Sequence, residues 1–427
     1  MNSSALIDLL SHPWPEPAEF SKSVARLERT GLQSEEEAHA YATHLKRYVE
    51  ELLRGQERPE YLHPLVSFMQ EARTPESERI LEIEALPVLY PLYDFLKDSL
   101  TEQSDDALFL LKIFVIFSDN TDGGLPRLLT ALQESFAGES YVWGVIFEHL
   151  TPSHRWTKAV CDMIRSHPPE NFCGICALDL ANELAEHGTS PHLFDSETGI
   201  ERLQGWLESD DPDEDSYAES AVLALPYLKR SEAPKLLREA LDHDAEPVQL
   251  VTAEILARSG EQAGFEKLHE LALFPPLSTR ACEVLQNLNR KDLVPAECVQ
   301  PDFAALAQMC AWLADEDNFG EIPDDVEMYA LKRIFWPPTN DEREFRFFKY
   351  IYLADCSGEE TTDEIGVGMV GSQTCSLVGH TTPEMPLEYI LALHCCWELQ
   401  QRGDPRAPAL LSVQEGLALL KLPKSPD

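Results

Sequence analysis

The stretch that most constrains this chain runs from Ser231 to Arg290, where four short amphipathic helices are separated by tight turns. Its apolar positions repeat. Ala221 and Leu225 recur as Ala253 and Ala257, a step of 32 residues, and Leu236 and Leu241 recur as Leu268 and Leu273 at the same step. Ala281 and Leu285 echo the pattern after a shorter step of 28. A period near thirty with two helices per unit predicts an α-solenoid, in which each helix pair buries its apolar face only against its neighbours.

The unit itself has a first helix APKLLREAL (233–241), a polar turn DHDAEP (242–247) and an Ala-rich second helix VQLVTAEILARSG (248–260). On these residues the chain resembles the HEAT-like repeats of the phycobilin-lyase type, over roughly 200–290 and more loosely over 105–188. The resemblance implies stacked helix pairs and a surface for macromolecules. It carries no lyase activity, because no residues of such a site can be matched.

Helical patterning extends toward the N-terminus. AEFSKSVARLERTG predicts one helix, and SEEEAHAYATHLKRYVEELLRG a second, opened by the capping box Ser34–Glu37 with Ala40, Leu45, Val49 and Leu52 at helical spacing. Further helices are expected at Glu60–Glu71, at Glu76–Leu100 with interruptions at Pro87 and Pro91, and at Ser104–Ser118. A turn at Asp119–Gly124 follows, and helices resume at Leu125–Phe136, Tyr141–Leu150, His154–Ser166 and Glu170–His187. The last carries Ala177, Leu180, Ala181 and Leu184 on one face and ends at Gly188, a natural C-cap. Thr189–Ile200 and Ser209–Ser216 read as loops.

After about Pro295 the pattern changes. Asp302–Asp315 and Pro323–Phe335 still read as helices, but EFRFFKYIYL (344–353) is dense in aromatic and β-branched residues and predicts a strand. CSGEETTDE (356–364) reads as a turn, Ile365–Gly379 as one or two strands, and Thr381–Arg402 as a buried helix. The expected fold is therefore mainly α: an irregular HEAT-like α-solenoid over 1–295, then a small α+β domain over 296–427. That domain would hold an antiparallel sheet of about three strands backed by one helix.

Charge narrows the partners. Lys and Arg number 34 against 75 Asp and Glu, a net −41 at pH 7. Such a surface repels phosphate backbones and anionic lipid, so nucleic acid and bare membrane are excluded as expected ligands, and a basic protein surface is favoured. The N-terminus lacks the pattern of a signal peptide, and the longest apolar run, ALFLLKIFVIFS (107–118), is too short to span a bilayer. Ten cysteines without a disulfide framework point to a reducing cytoplasm.

The motifs that could carry chemistry are weak. Gly366, Gly368 and Gly371 match G-x-G-x-x-G, yet SQTCSLVG after them is strand-like, so a dinucleotide fold is not expected. Ile365, Val367 and Met369 are instead expected to face a core, with the glycines clearing space for a packed helix. His394, Cys395 and Cys396, with Cys375 and His380 upstream, lack paired metal-ligand spacing, and Cys395 and Cys396 point about 100° apart on a helix. Cys173 and Cys176 share a helical face that serves packing. Asp211, Asp213 and Asp215 match the start of an EF-hand loop, but Gly is missing at position six and Glu at position twelve. Phe345, Phe347 and Phe348, interleaved with Arg343, Arg346 and Lys349, read as core aromatics. No hydrolase, zincin or P-loop motif is present, and no cofactor or metal is expected.

The expectation is a non-catalytic, cytoplasmic protein-interaction scaffold that binds a basic partner, with Asp210, Asp211, Asp213, Glu214 and Asp215 as the first residues to test. Two alternatives stand beside it. One is an enzyme whose pocket in the C-terminal domain holds His380, His394 or Cys375 beside a carboxylate. The other is a bacterial immunity protein that neutralises a basic toxin.

Overall fold

The computed structural model describes residues 31–55, 62–72, 74–98, 104–211, 214–315, 318–353, 363–378 and 384–420. The expected helix AEFSKSVARLERTG lies outside them, apart from its final Gly31, as does the expected turn CSGEETTDE apart from its last two residues. The chain divides into two compact units, Met1–Leu237 and Arg238–Asp427, so the division falls within the repeat stretch.

The first unit is helical. It contains α1 (Glu35–Gly55), α2 (Leu62–Ser67), α3 (Pro75–Ile80), α4 (Leu86–Asp98), α5 (Ser104–Ile116), α6 (Leu125–Gln133) and α7 (Val142–Glu148). Then come α8 (Thr157–Ser166), α9 (Asn171–Glu186), α10 (Glu197–Leu207) and α11 (Asp215–Ala224), and the division falls inside α12 (Ala233–Glu239). Helix α1 starts where expected: the Ser34 hydroxyl accepts from the Glu37 amide at 3.3 Å, while Glu37 reaches back to the amide of Gln33 at 2.8 Å. Its buried stripe is Ala38, Tyr41, Leu45, Tyr48, Val49 and Leu52, with Ala40 only half-buried.

Helix α9 ends as its sequence dictates. Gly188 adopts φ +88°, its amide donates to Ala185 and that of Thr189 to Leu184. Cys173, Cys176, Ala177, Leu180, Ala181 and Leu184 are all buried, so the cysteines serve packing there. Burial of each such apolar side chain stabilises the fold by about 1.5–3 kcal/mol for the larger ones.

Two local expectations give way in this unit. Pro87 and Pro91 do not interrupt the helix; Pro91 lies inside α4, and a π turn at Leu81–Ala85 joins α3 to α4. The wider turn absorbs the register change that proline in a helix demands. The loop expected at Thr189–Ile200 is shorter, because Ser196 caps α10 by accepting from the Gly199 amide at 3.0 Å.

The second unit begins with α13 (Glu246–Arg258), α14 (Gln262–Ala272) and α15 (Pro275–Asn287). These helices share one core, built from Leu250, Ala253, Ala257, Leu268, Leu271, Ala281 and Leu285. A Cβ on Gly264 would sit 2.4 Å from the backbone nitrogen of Ala257, so glycine is what lets α13 and α14 approach this closely. Of the repeating positions, Leu273 is the exception, 42% exposed where its counterpart Leu241 is half-buried.

Helix α16 (Pro301–Leu313) leads into the strands β1 (Asp325–Trp336), β2 (Asp341–Tyr352), β3 (Glu364–Val370) and β4 (Thr374–Val378), and α17 (Leu387–Gln401) and α18 (Val413–Leu420) follow. The sheet is an antiparallel meander in the order β1-β2-β3-β4. It corrects the expected helix at Pro323–Phe335, which is strand β1. Glu, Met, Ala, Leu, Lys and Arg favour a helix locally, but eleven residues of β1 pair with β2, and that tertiary context overrides local preference.

The sheet has four strands and is covered on both faces. Phe345, Phe347, Val367 and Met369 pack on Ile390, Leu391, Cys395 and Leu399 of α17. Phe348, Tyr350 and Val370 pack on Ala305, Met309 and Leu313 of α16. The three phenylalanines of β2 are thus core residues, and Arg346 between them pairs with Asp302 and Glu344, each at 2.8 Å. The glycine triplet also serves packing. A Cβ on Gly368 would meet the Met309 sulfur of α16 at 2.3 Å, and those on Gly366 and Gly371 would enter the rings of Tyr350 and Phe345.

Candidate functional site

The acidic loop is in the first unit. Asp210 and Asp211 are exposed, and Asp213 lies outside the described residues. Glu214 is half-buried and accepts the Ser209 hydroxyl at 2.6 Å, which ties it to its own loop. Asp215 opens α11, where a negative side chain complements the partial positive charge of the exposed amides. This local arrangement concentrates negative charge next to a helix start.

In the second unit the fold gathers polar side chains that lie far apart in sequence. His380 is outside the described residues. Cys375 on β4 lies beside His394 on α17, with Sγ 3.3 Å from Nδ1, within hydrogen-bond reach. Among the described residues the opposite ring nitrogen, Nε2, has no hydrogen-bond partner, and a carboxylate oxygen of Glu398 lies 3.8 Å away. His394 stacks between Trp336 and Trp397, at 5.6 and 5.4 Å between ring centroids.

Glu398 is fully buried and is the hub of this cluster. Oε2 accepts from the Trp336 indole at 2.7 Å and the Ser372 hydroxyl at 2.5 Å, and Oε1 from Arg402 at 2.8 Å. Burial works to raise its pKa, but the hydrogen bonds from Ser372, Trp336 and Arg402 outweigh it and hold the carboxyl below the ordinary range. Burial pushes the His394 imidazole down to about 4 and the Cys375 thiol up to about 12. Near neutral pH the contact is therefore one between a neutral thiol and a neutral imidazole. Cys395 and Cys396 are buried on the same helix, Cys396 donating to the carbonyl of Ser412 at 3.5 Å.

Two concavities in the first unit went unnoticed in the sequence. One, of about 390 Å³, lies among α2, α5 and the start of α7 and is lined by His63, Asp105, Asp106, Phe109, Lys112 and Tyr141. His63 Nε2 and Asp106 Oδ1 are 2.8 Å apart, and the Ser140 hydroxyl donates to Asp105 at 2.6 Å. The only sequence signal is the Asp105–Asp106 pair opening a helix, which reads as ordinary capping. The other, of about 270 Å³, has the buried Glu82 in its wall, accepting from both nitrogens of Asn120, with Asp119 and His149 nearby. Burial and the neighbouring Lys112 hold His149 below its ordinary pKa.

Among the described residues, no group of three or more His, Cys, Asp or Glu side chains is arranged to hold a metal ion. Nor, among them, is any helix long and apolar enough to cross a membrane. No protein-family model, curated protein or solved structure matches the chain.

Proposed function

We propose that this chain is a non-catalytic protein-interaction scaffold, with helical pairs of HEAT-like type that present an acidic surface to a partner's basic patch. The observation that carries this reading is the charge balance, 34 basic against 75 acidic side chains. A field of that sign raises the encounter rate with a basic surface and rejects acidic ones, and it weakens steeply with salt. Asp210 and Asp211, both exposed, are the first residues to test. Affinity capture by the purified chain at low and high salt should retain a basic partner only at low salt. Replacing Asp210, Asp211, Asp213 and Asp215 by Asn and Glu214 by Gln should slow association about ten-fold. Capture indifferent to both changes would sink the reading.

A second reading, a thiol enzyme in the C-terminal unit, is favoured by one contact, the 3.3 Å approach of Cys375 to His394. With the thiol at about 12, alkylation of Cys375 by iodoacetamide at pH 8 should run at least about a hundred-fold slower than that of free cysteine. Labelling as fast as free cysteine, and abolished by His394→Ala, would move the proposal from scaffold to enzyme.

A further inference from the structure

We propose that the 390 Å³ groove among α2, α5 and α7 receives an arginine side chain of the partner. The proposal rests on the basic-partner reading and supplies the side chain and the receiving site that reading lacks.

Three features of the groove converge on a flat cation. The first is a pair of adjacent carboxylates. Asp105 is exposed, with its Oδ1 accepting from the Ser140 hydroxyl at 2.6 Å, and Asp106 Oδ1 lies 2.8 Å from His63 Nε2, so Asp105 is the carboxylate open to a further donor. The second is an aromatic wall. Phe109 lies on the same helix as both carboxylates, three residues beyond Asp106, and already carries a cation over its face, the Lys112 ammonium at 5.8 Å from the ring centroid. His63 also packs on that ring, at 4.3 Å between centroids, so Phe109 is already engaged and the ring open to a guanidinium is that of Tyr141. The third is Tyr141, a large aromatic at the rim that is 71% exposed.

A guanidinium uses such a site better than an ammonium does. It lies flat against a ring while its N–H fork donates in the plane to a carboxylate, so stacking and charge-assisted hydrogen bonding are made together. The volume falls at the lower end of the range of about 300–1,000 Å³ typical of small-ligand pockets, enough for one side chain rather than a large organic molecule. Lys112 opposes the occupant, since its ammonium shares the groove. That opposition makes the proposal directional: removing the lysine must help a cation and hurt an anion.

The test uses the full chain and two neutral-ended peptides, acetyl-Gly-Arg-Gly-amide and its citrulline analogue, which keeps the shape and loses the charge. Titration followed by NMR or calorimetry should show the arginine peptide binding at least about ten-fold tighter than the citrulline peptide. Tyr141→Ala and Asp105→Asn, both changes of exposed residues, should each weaken the arginine peptide by about three-fold or more, and Lys112→Gln should tighten it. Asp211→Asn, in the acidic loop, should leave it unchanged. Equal binding of the two peptides overturns the proposal, as does indifference to Tyr141→Ala and Asp105→Asn, or weakening by Lys112→Gln. Weakening by Asp211→Asn instead would assign the binding to the general acidic field, overturning the groove while leaving the scaffold reading in place. Salt-insensitive capture of protein partners would remove the scaffold reading separately.

Discussion

His192 in the first unit and His394 in the second are both buried imidazoles held uncharged, yet their surroundings differ. His192 is 3% exposed and fully engaged: Nδ1 accepts from the Phe194 amide and Nε2 donates to Asn182, each at 3.2 Å. Asn182 in turn donates to the Ser220 carbonyl at 3.0 Å, so the network closes on neutral groups. Among the described residues His394 is bound at one nitrogen, and it lies beside Glu398, whose pKa is held low and which has no solvent exposure. A neutral network costs little more than the ordering of its members. A buried charge instead depends on every partner it has, since each lost donor leaves part of its desolvation penalty uncompensated. The second unit has thus committed more free energy to one residue than the first has to any member of the His192 network.

The largest expected effect is at that residue. Glu398→Ala removes the acceptor for Trp336, Ser372 and Arg402 together, and so cuts the ties of β1, the turn after β3 and the end of α17 to one point. We expect a loss of about 3–5 kcal/mol, as for other broken buried charge pairs. Hydrogen exchange read by mass spectrometry should show lost protection in β1 and α17, with α9 and α10 unchanged. A loss under about 1 kcal/mol would mean that the carboxylate is not the hub its geometry makes it.

Acid should erode both units, because among the described residues each holds a fully buried imidazole, and the half-buried His149 adds to the first. His192 and His394 both titrate near 4 in the folded chain and near 6.5 when unfolded, burial being the main cause in each case. The unfolded chain therefore takes up protons first as the pH drops. Stability should be full above about 6.5, fall by roughly 1.4 kcal/mol per pH unit per imidazole toward 4, and level off below that. Glu398, whose pKa is depressed, adds a further loss at lower pH as its carboxyl takes up a proton. Denaturant midpoints measured between pH 7 and 4 would show this slope. His394→Gln should flatten the part carried by the second unit, and an unchanged slope in that variant would count against the assignment.

Much of the fold, and less of the chemistry, was legible in the sequence, for reasons that particular residues make plain. Ala177, Leu180, Ala181 and Leu184 could be placed on a buried face because helical periodicity is a local signal, and a four-residue spacing is enough to see it. Strand β1 could not, because Glu327, Met328, Ala330, Leu331, Lys332 and Arg333 favour a helix locally and the segment pairs as a strand with β2, which follows it in the chain. The glycine triplet was readable as packing since no helix follows it. His380, His394 and Cys375 could be named as residues to look for beside a carboxylate, but not that Glu398, one helical turn beyond His394, would lie 3.8 Å from its ring. The groove at Asp105 and Asp106 was invisible for a related reason: His63 and Asp106 are 43 residues apart, and only the packing of three helices brings them together.

The smallest expected effect completes the comparison between the two histidines. Asn182→Ala leaves His192 Nε2–H and the Ser220 carbonyl without their partners, but no charge is stranded. Each group loses a neutral hydrogen bond worth about 1 kcal/mol, and a small cavity is left in a site that is 7% exposed, near enough to the surface for water to replace part of the loss. We expect about 1–2 kcal/mol, less than half the cost of Glu398→Ala, with lost protection confined to α9 and the segment around His192. If the two substitutions cost the same, the contrast between a neutral and a charged network fails. Position in the fold, rather than charge, would then decide how much a buried polar side chain matters.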